Sequence, residues 1–358
     1  MAITTIEQLK DHLQSAIELE HSTIPTYLTA LFSIMPNSVN EEAGQIVFNI
    51  AVQEMLHMTL AANLLNAVGG EPQINTKGFV PNYPAYLPDG ETAFEVSLMR
   101  FSPEALETFL EIEMPASQEK QAESRVPRRV REGVMLSAGE TYPTIGDFYQ
   151  AIKEGFVYLA GVCPDTLFVK DSSRQVTPDV YDPQDGGEVV VVTDLETALQ
   201  AIDEIVEQGE GIRDSIWNGD DVNFQQPAQV AHYYRFQQIL LGRTYQTGDQ
   251  PNAPTGSVIS VDWDQVYNIQ TNTKMADLTP GTVAYENLLQ FNTAYSNLLN
   301  TLHDAFNGQP KLLAYPGPAA TYMSDVATTA AALVQTPYPG KDGVFVGPSF
   351  EYVETSGK

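Results

Sequence analysis

At 358 residues, 43% hydrophobic and 18% charged, the chain reads as an ordinary globular protein with room for a large core and one or two domains. A formal charge of −28 argues against nucleic acid and anionic membrane as partners, since both need basic surface. No run approaches the roughly 18 apolar residues of a membrane span. Met1-Ala2-Ile3-Thr4-Thr5 opens into a helical pattern without the basic-then-apolar layout of a secretory leader, so a cytoplasmic location is expected.

Residues from 5 to about 35 are predicted as a long helix, with Leu13, Ala16, Ile17, Ile24, Tyr27 and Leu31 at helical spacing. Glu20 stands inside that apolar stripe, where a glutamate is rare unless paired. Pro25 is expected to bend the helix or open a backbone carbonyl. After the turn Met35-Pro36-Asn37-Ser38, Asn40 or Ser38 caps a second helix over about 41–68, which Gly69-Gly70 stops.

That second helix carries Glu54-Met55-Leu56-His57. At about 100° per residue, Val47, Ile50, Ala61, Leu64, Leu65 and Val68 fall within roughly 80° of Glu54, and His57 about 60° from it. A carboxylate and an imidazole therefore aim into the predicted core, where an unpaired charge is costly. A metal would offset that cost, although a core histidine satisfied by hydrogen bonds is the plainer reading of so short a pattern.

The stretch 70–102, with Pro72, Pro81, Pro84 and Pro88 among Phe79, Tyr83 and Tyr86, predicts an ordered loop packed by aromatics. Ser102-Pro103-Glu104 starts a helix in which Leu106, Phe109 and Leu110 share a face with Glu113. Residues 116–142, with Arg125, Arg128, Arg129 and Arg131, read as an exposed segment. A helix over about 144–160 turns Ile145, Phe148, Ile152, Phe156 and Leu159 inward and leaves Glu154 on the opposite side. The single cysteine, Cys163, reads as a small buried apolar residue; it excludes an internal disulfide and a thiolate cluster.

Glu188-Val-Val-Val-Val192 predicts a short strand, and Asp194 caps a helix to about 211 with Leu195, Leu199, Ile202 and Val206 inward. Glu210 lies about 40° from Val206 and Glu207 about 100°. Their position at a helix C-terminus is unfavourable without a nearby cation. Gly209 lets another group approach. Pro227 to Leu241 is a helix carrying His232 among Tyr233, Tyr234 and Phe236. Residues 244–280 form a Gly/Pro/Asn-rich crossing, followed by helices over about 281–307 and 318–335 and a tail, Gly347 to Tyr352, apolar enough to dock.

The core-facing ionisable groups are thus Glu20, Glu54, His57, Glu113, Glu210 and His232, with Glu207 and Glu154 in reserve. Four carboxylates with two imidazoles match the donor count of a two-metal carboxylate site in a helical bundle. They suit iron or manganese, at a separation of about 3.5–4 Å under bridging carboxylates.

The block Leu19-Glu-His-Ser-Thr-Ile-Pro-Thr-Tyr-Leu28 carries a resemblance, together with Glu54-Met-Leu-His57, Ile112-Glu-Met-Pro115, Glu207-Gln-Gly-Glu-Gly211, His232-Tyr-Tyr-Arg-Phe236 and Gly347-Pro-Ser-Phe-Glu-Tyr352. The chain resembles the ferritin-like family, in the branch with the ferritin-like regions of iminophenyl-pyruvate dimer synthase and chromopyrrolate synthase. The resemblance implies a mainly α protein with a four-helix core, and a two-metal site onto which Glu20, Glu54 and His57 carry over. The pathway enzymes are far longer, so their haem use and imine dimerisation do not transfer, and haem stays open as a cofactor.

The expected architecture is a bundle over 1–245 with a helical extension over 246–358 packed on it. One expected function is a di-iron oxidoreductase using dioxygen or peroxide on a small organic substrate, one derived from an aromatic amino acid being the leading class, in a pocket lined by Tyr27, Tyr233 and Phe236 under a lid from the long loop and tail. The other is a metal-handling protein without an organic substrate. A monomer or homodimer fits the first, and a shell-like oligomer the second.

Overall fold

The computed structural model describes residues 2–88, 94–115, 142, 144–181, 186–211, 215–218 and 228–354. The basic segment around Arg125 to Arg131 and the predicted helix start at Pro227 lie outside them. Among the described residues there are eight α-helices and only isolated β-bridges, so the protein is mainly α.

Helix α1, Ile6–Ser33, starts at Thr5, whose hydroxyl accepts from the Gln8 amide while the Gln8 side chain returns to the Thr5 amide. It continues through Pro25. Proline lacks the N–H that would reach back one turn, and near that gap the Tyr83 hydroxyl donates to the Ser22 carbonyl at 2.7 Å. Helix α2, Glu41–Ala67, follows Asn40, but Asn40 makes no side-chain cap. Its amide is used elsewhere: Nδ2 donates to the Asp262 carbonyl at 2.9 Å and Oδ1 accepts from the Asp262 amide at 2.8 Å. The expected local cap has become a tie to the distant crossing segment.

Helix α3 is Pro103–Ile112 behind the Ser102 cap, α4 is Ile145–Val162, α5 is Leu195–Glu210 and α6 is His232–Leu241. Helix α7, Val283–Phe306, and α8, Pro318–Leu333, follow the crossing. Helices α1, α2, α4 and α5 close a four-helix core: α1 packs on α2 and α4, α2 on α5, and α4 on α5. Helices α3 and α6 pack on each other and against α1, α2 and α5, while α7 and α8 pair over α2 and α1. Fully buried alanines, among them Ala16, Ala51, Ala61, Ala198 and Ala201, let these backbones approach.

The predicted strand at 188–192 is not formed. Val189, Val190 and Val192 are buried, and side-chain amides reach the backbone of Val190 and Val192. Gln175 exchanges two bonds of 2.7 Å with Val192, and Asn63 Nδ2 donates to the Val190 carbonyl at 3.0 Å. An apolar run without a neighbouring strand has been tied down by amides instead. Cys163 is half-buried, its thiol donating to the Leu159 carbonyl.

The long loop buries Phe79, Tyr83, Leu87, Val96, Leu98 and Phe101. The tail docks along α7: Glu351 N donates to Asn292 Oδ1 at 3.1 Å, Val353 N to Ser296 Oγ at 2.9 Å and Tyr352 OH to Asn300 Oδ1 at 2.9 Å. One buried apolar cluster runs from Leu9 to Phe350, so the bundle and the residues after 245 share a core. Among the described residues no helix is long and apolar enough to cross a membrane.

Candidate metal centre

Two triads of buried ligand groups meet inside the bundle: Glu20, Glu54 and His57, and Glu54, Glu113 and His232. The ligand atoms of each triad lie within 4.8 Å of one another, and Glu54 belongs to both. Helix α1 supplies Glu20, α2 supplies Glu54 and His57 from successive turns, the residue closing α3 supplies Glu113, and α6 supplies His232 at its first turn. All five are at most 7% exposed.

The orientation of the two imidazoles follows from their neighbours. Gln208 Nε2 donates to Glu204 Oε1 at 2.6 Å and to the Gly186 carbonyl at 3.1 Å. Both partners only accept, so the amide oxygen of Gln208 is the atom facing His57 Nε2, at 3.0 Å. On the other side Gln53 Nε2 donates to the same Gly186 carbonyl at 2.9 Å. Its oxygen accepts from Arg235 Nη1 and faces His232 Nε2 at 3.1 Å. Each ring must therefore carry a proton on Nε2, which leaves Nδ1 turned inward on both.

Those Nδ1 atoms face carboxylates. His57 Nδ1 is 3.5 Å from Glu20 Oε2 and 3.8 Å from Glu54 Oε1. His232 Nδ1 is 2.9 Å from Glu54 Oε1 and 3.5 Å from Glu113 Oε2, yet it has no hydrogen-bond partner. The rings stack with centroids 5.4 Å apart. Lone pairs set against carboxylate oxygens in a dry interior repel unless positive charge lies between them.

The titration behaviour has the same origin. Burial, then the Glu113 charge, pushes the Glu54 carboxyl well above the usual carboxylate range. Burial works to lower His57, but protonated it can donate to Glu20, and this with the charges of Glu54 and Glu20 leaves it above the usual imidazole value. Burial works to raise Glu113, and the His232 charge, with the hydrogen bond from Tyr27, holds it below its usual value. The centre attracts positive charge, as protons or as metal. Three carboxylates and two imidazoles, with no thiolate, form a donor set that fits a pair of hard divalent cations with Glu54 shared.

Hydroxyls surround the carboxylates. Tyr149 OH donates to Glu20 Oε1 and Tyr27 OH to Glu113 Oε1 at 2.5 Å, while the single hydrogen of Thr23 Oγ is shared between the Glu20 carbonyl at 2.8 Å and Glu54 Oε2 at 3.1 Å. Burial first, and the adjacent carboxylates next, raise both phenols well above their usual value, so they remain donors. A Cβ on Gly209 would sit 3.6 Å from Glu113 Oε2, so the glycine borders the centre as expected.

Of the residues singled out from sequence, Glu20, Glu54, His57, Glu113 and His232 are brought together, with Tyr27 beside them. Glu210 is placed elsewhere: its Oε1 accepts from the Gly146 amide at 2.9 Å, at the start of α4. Glu207 is half-buried on α5 and stands in neither triad. Glu154 is exposed and accepts from Gln150. Tyr233 packs edge-on against Tyr234 in a separate small cluster with Ile216 and Tyr245, and Tyr27 packs against Phe109 and Phe236. Of the three residues expected to line one pocket, Tyr27 and Phe236 thus pack ring on ring, and Tyr233 stands in the separate cluster.

Sequence reasoning missed Gln53, Tyr149, Glu204 and Gln208. The inward face of α5 is Ala198, Ala201, Ile202, Glu204, Ile205 and Gln208, whereas Leu195, Leu199 and Val206 are only half-buried. The small alanines carried the signal and the larger residues outweighed it, which rotated the helix phase toward Glu210.

Residues 13–241, which contain both triads, match the Ferritin-like family. Dichlorochromopyrrolate synthase from Lentzea aerocolonigenes is 24% identical over 98% of this chain, and the chain spans 36% of that protein's length. A ferritin-like protein from Caulobacter vibrioides has a crystal structure that matches with a TM-score of 0.60 at 24% identity, covering 92% of this chain and 96% of the other. With the family pattern extending over more than half of the sequence and the helices closing the bundle it implies, this chain belongs to the Ferritin-like family.

Proposed function

We propose that the protein is a dinuclear-metal oxidoreductase, with iron as the first choice of metal and manganese as the second, acting on a small organic substrate derived from an aromatic amino acid. The observation that carries the metal reading is the pair of imidazoles locked at Nε2 by glutamine oxygens, with both Nδ1 atoms turned onto three buried carboxylates. Glu20 and His57 would hold one ion, Glu113 and His232 the other, and Glu54 both. When bound, such a pair supplies one-electron steps and activation of dioxygen or peroxide. The chain's own groups set the geometry. Tyr149 and Tyr27 orient Glu20 and Glu113, and the Thr23 hydroxyl lies within reach of Glu54. Gln208 and Gln53 keep the ring nitrogens directed inward. Tyr27 also keeps a phenolic proton at Glu113 Oε1, which leaves Oε2 of that carboxylate facing the centre. The aromatic wall of Tyr27, Phe109 and Phe236 excludes water on that side.

The substrate class rests on the likeness to dichlorochromopyrrolate synthase, of whose length this chain spans about a third. A metal-handling role without an organic substrate is the second reading, favoured by the same aromatic wall, which fills that side of the centre. Purified protein is expected to carry about two transition-metal ions per chain under both readings. Reduction without oxygen, then oxygen with and without an aromatic amino-acid imine, separates them. Substrate consumption coupled to oxygen uptake supports the enzyme. Metal oxidation alone, in a shell-like oligomer, supports handling. Protein that takes up no metal removes both.

A further inference from the structure

The α1–α2 pair that carries Glu20, Glu54 and His57 borders a second space on another face. A cavity of ≈ 360 Å³ lies between this pair and the α7–α8 pair, reached also by Phe350 of the tail. That volume is in the range of small-molecule sites. No Lys, Arg, Asp or Glu is among its lining residues. Three of them are exposed apolar side chains, Phe48 at 44%, Met323 at 40% and Tyr315 at 77%, and they mark where the cavity opens. Inside, Met55 and Met58 offer a wall that adapts to an occupant's shape.

The cavity has a polar point at its inner end. His21 and Tyr295 both line it, both are buried, and His21 Nε2 lies 2.5 Å from Tyr295 OH. The other ring nitrogen, His21 Nδ1, has no partner. A neutral imidazole and a phenol together carry two polar hydrogens, and their mutual bond uses one of them. Whichever ring tautomer is present, one donor is left over. If the phenol donates to Nε2, the spare hydrogen is on Nδ1; if Nε2 donates to the phenol oxygen, it is on the hydroxyl. Buried donors normally have an acceptor. Phe350 is held against Tyr295, with ring centroids 5.1 Å apart, by a left-handed backbone at φ 49°, a conformation rare for a bulky residue.

We propose that this cavity is a binding site for an uncharged, largely apolar small molecule that presents one carbonyl-type acceptor to the His21–Tyr295 pair. The absence of cationic lining residues disfavours a carboxylate, and a purely hydrocarbon occupant would leave the donor unpaired. The site does not depend on metal in the neighbouring centre.

Three probes of similar size test it on the full chain by calorimetric titration: 2-acetylnaphthalene, 2-ethylnaphthalene and 2-naphthoate. The ketone is expected to bind about tenfold tighter than the ethyl compound, as one hydrogen bond would give, and the carboxylate is expected to bind weakest. In the double variant His21→Phe/Tyr295→Phe the ketone's advantage falls to about one. Filling the cavity by Ala320→Trp, or separately by Met323→Trp at the opening, weakens ketone binding by at least about tenfold. Both are checked for wild-type circular dichroism, and either suffices if the other misfolds. Equal binding of ketone and ethyl compound to wild type overturns the proposal. So does tightest binding by the naphthoate, binding unchanged in a folded filled variant, or no binding of any probe.

Discussion

Two neighbouring residues on α1 and two on α2 divide the protein into regions of opposite character. Glu20 and Glu54 face a space crowded with carboxylates and imidazoles, whereas His21 and Met55 face a space that is almost wholly apolar. The first is short of positive charge, with its rings and carboxylates hydrogen-bonded to neighbouring side chains. The second is walled mainly by apolar side chains, and its His21–Tyr295 pair has a hydrogen to spare. A rotation of about 100° along a helix separates them. Buried polarity here is tolerated only where surrounding groups specify an orientation. Where it is absent, the packing itself is incomplete.

The strongest way to break this contrast is to remove the residue common to both triads. Glu54→Ala is expected to reduce metal content from about two ions per chain to nearly none, while His57→Ala leaves about one, because the second triad stays whole. Elemental analysis of folded protein reads the difference. Equal content in wild type and both variants would leave no metal centre to explain. Next in size is Phe236→Ala, which opens a hole among Tyr27 and Phe109 and should cost about 3–5 kcal/mol in denaturant unfolding. Leu299→Ala, beside the existing cavity, is expected near the low end of the range for leucine, about 2 kcal/mol. Equal costs would mean that the cavity is well packed.

A smaller effect belongs to the glutamines. Gln208→Ala frees His57 Nε2 and is expected to weaken metal affinity by about 10–100-fold while leaving two ions bound at saturation. Competition against a chelator measures it. The smallest change is expected at the cavity opening: Met323→Ser should shift unfolding by less than about 0.5 kcal/mol, since this side chain is already 40% exposed.

The division of labour along the chain decided what could be read from sequence. Glu20, Glu54, His57, Glu113 and His232 stand on helices whose large apolar residues set the phase, so charged groups aligned with those residues point inward. Helix α5 buries alanines, and there the phase was lost: Glu204 and Gln208 face inward, while Glu210 caps α4 through Gly146. Gln53 and Gln208 are neutral, and a neutral amide on a buried face gives no sign of the ring it will hold. Asn40 looked like a helix cap because its partner, Asp262, is 222 residues away. The cavity was equally invisible, since His21 meets Tyr295 across 274 residues. Local spacing reveals which way a residue points but not what arrives opposite it.

The carbonyl oxygen of Gly186 receives the amide groups of both Gln53 and Gln208. A single loop atom thus shares with Glu204 and Arg235 in setting the tautomer of two rings on different helices. A shift of that loop would loosen the hold on both rings at once, so one displaced carbonyl should lower the affinity of both ion positions together.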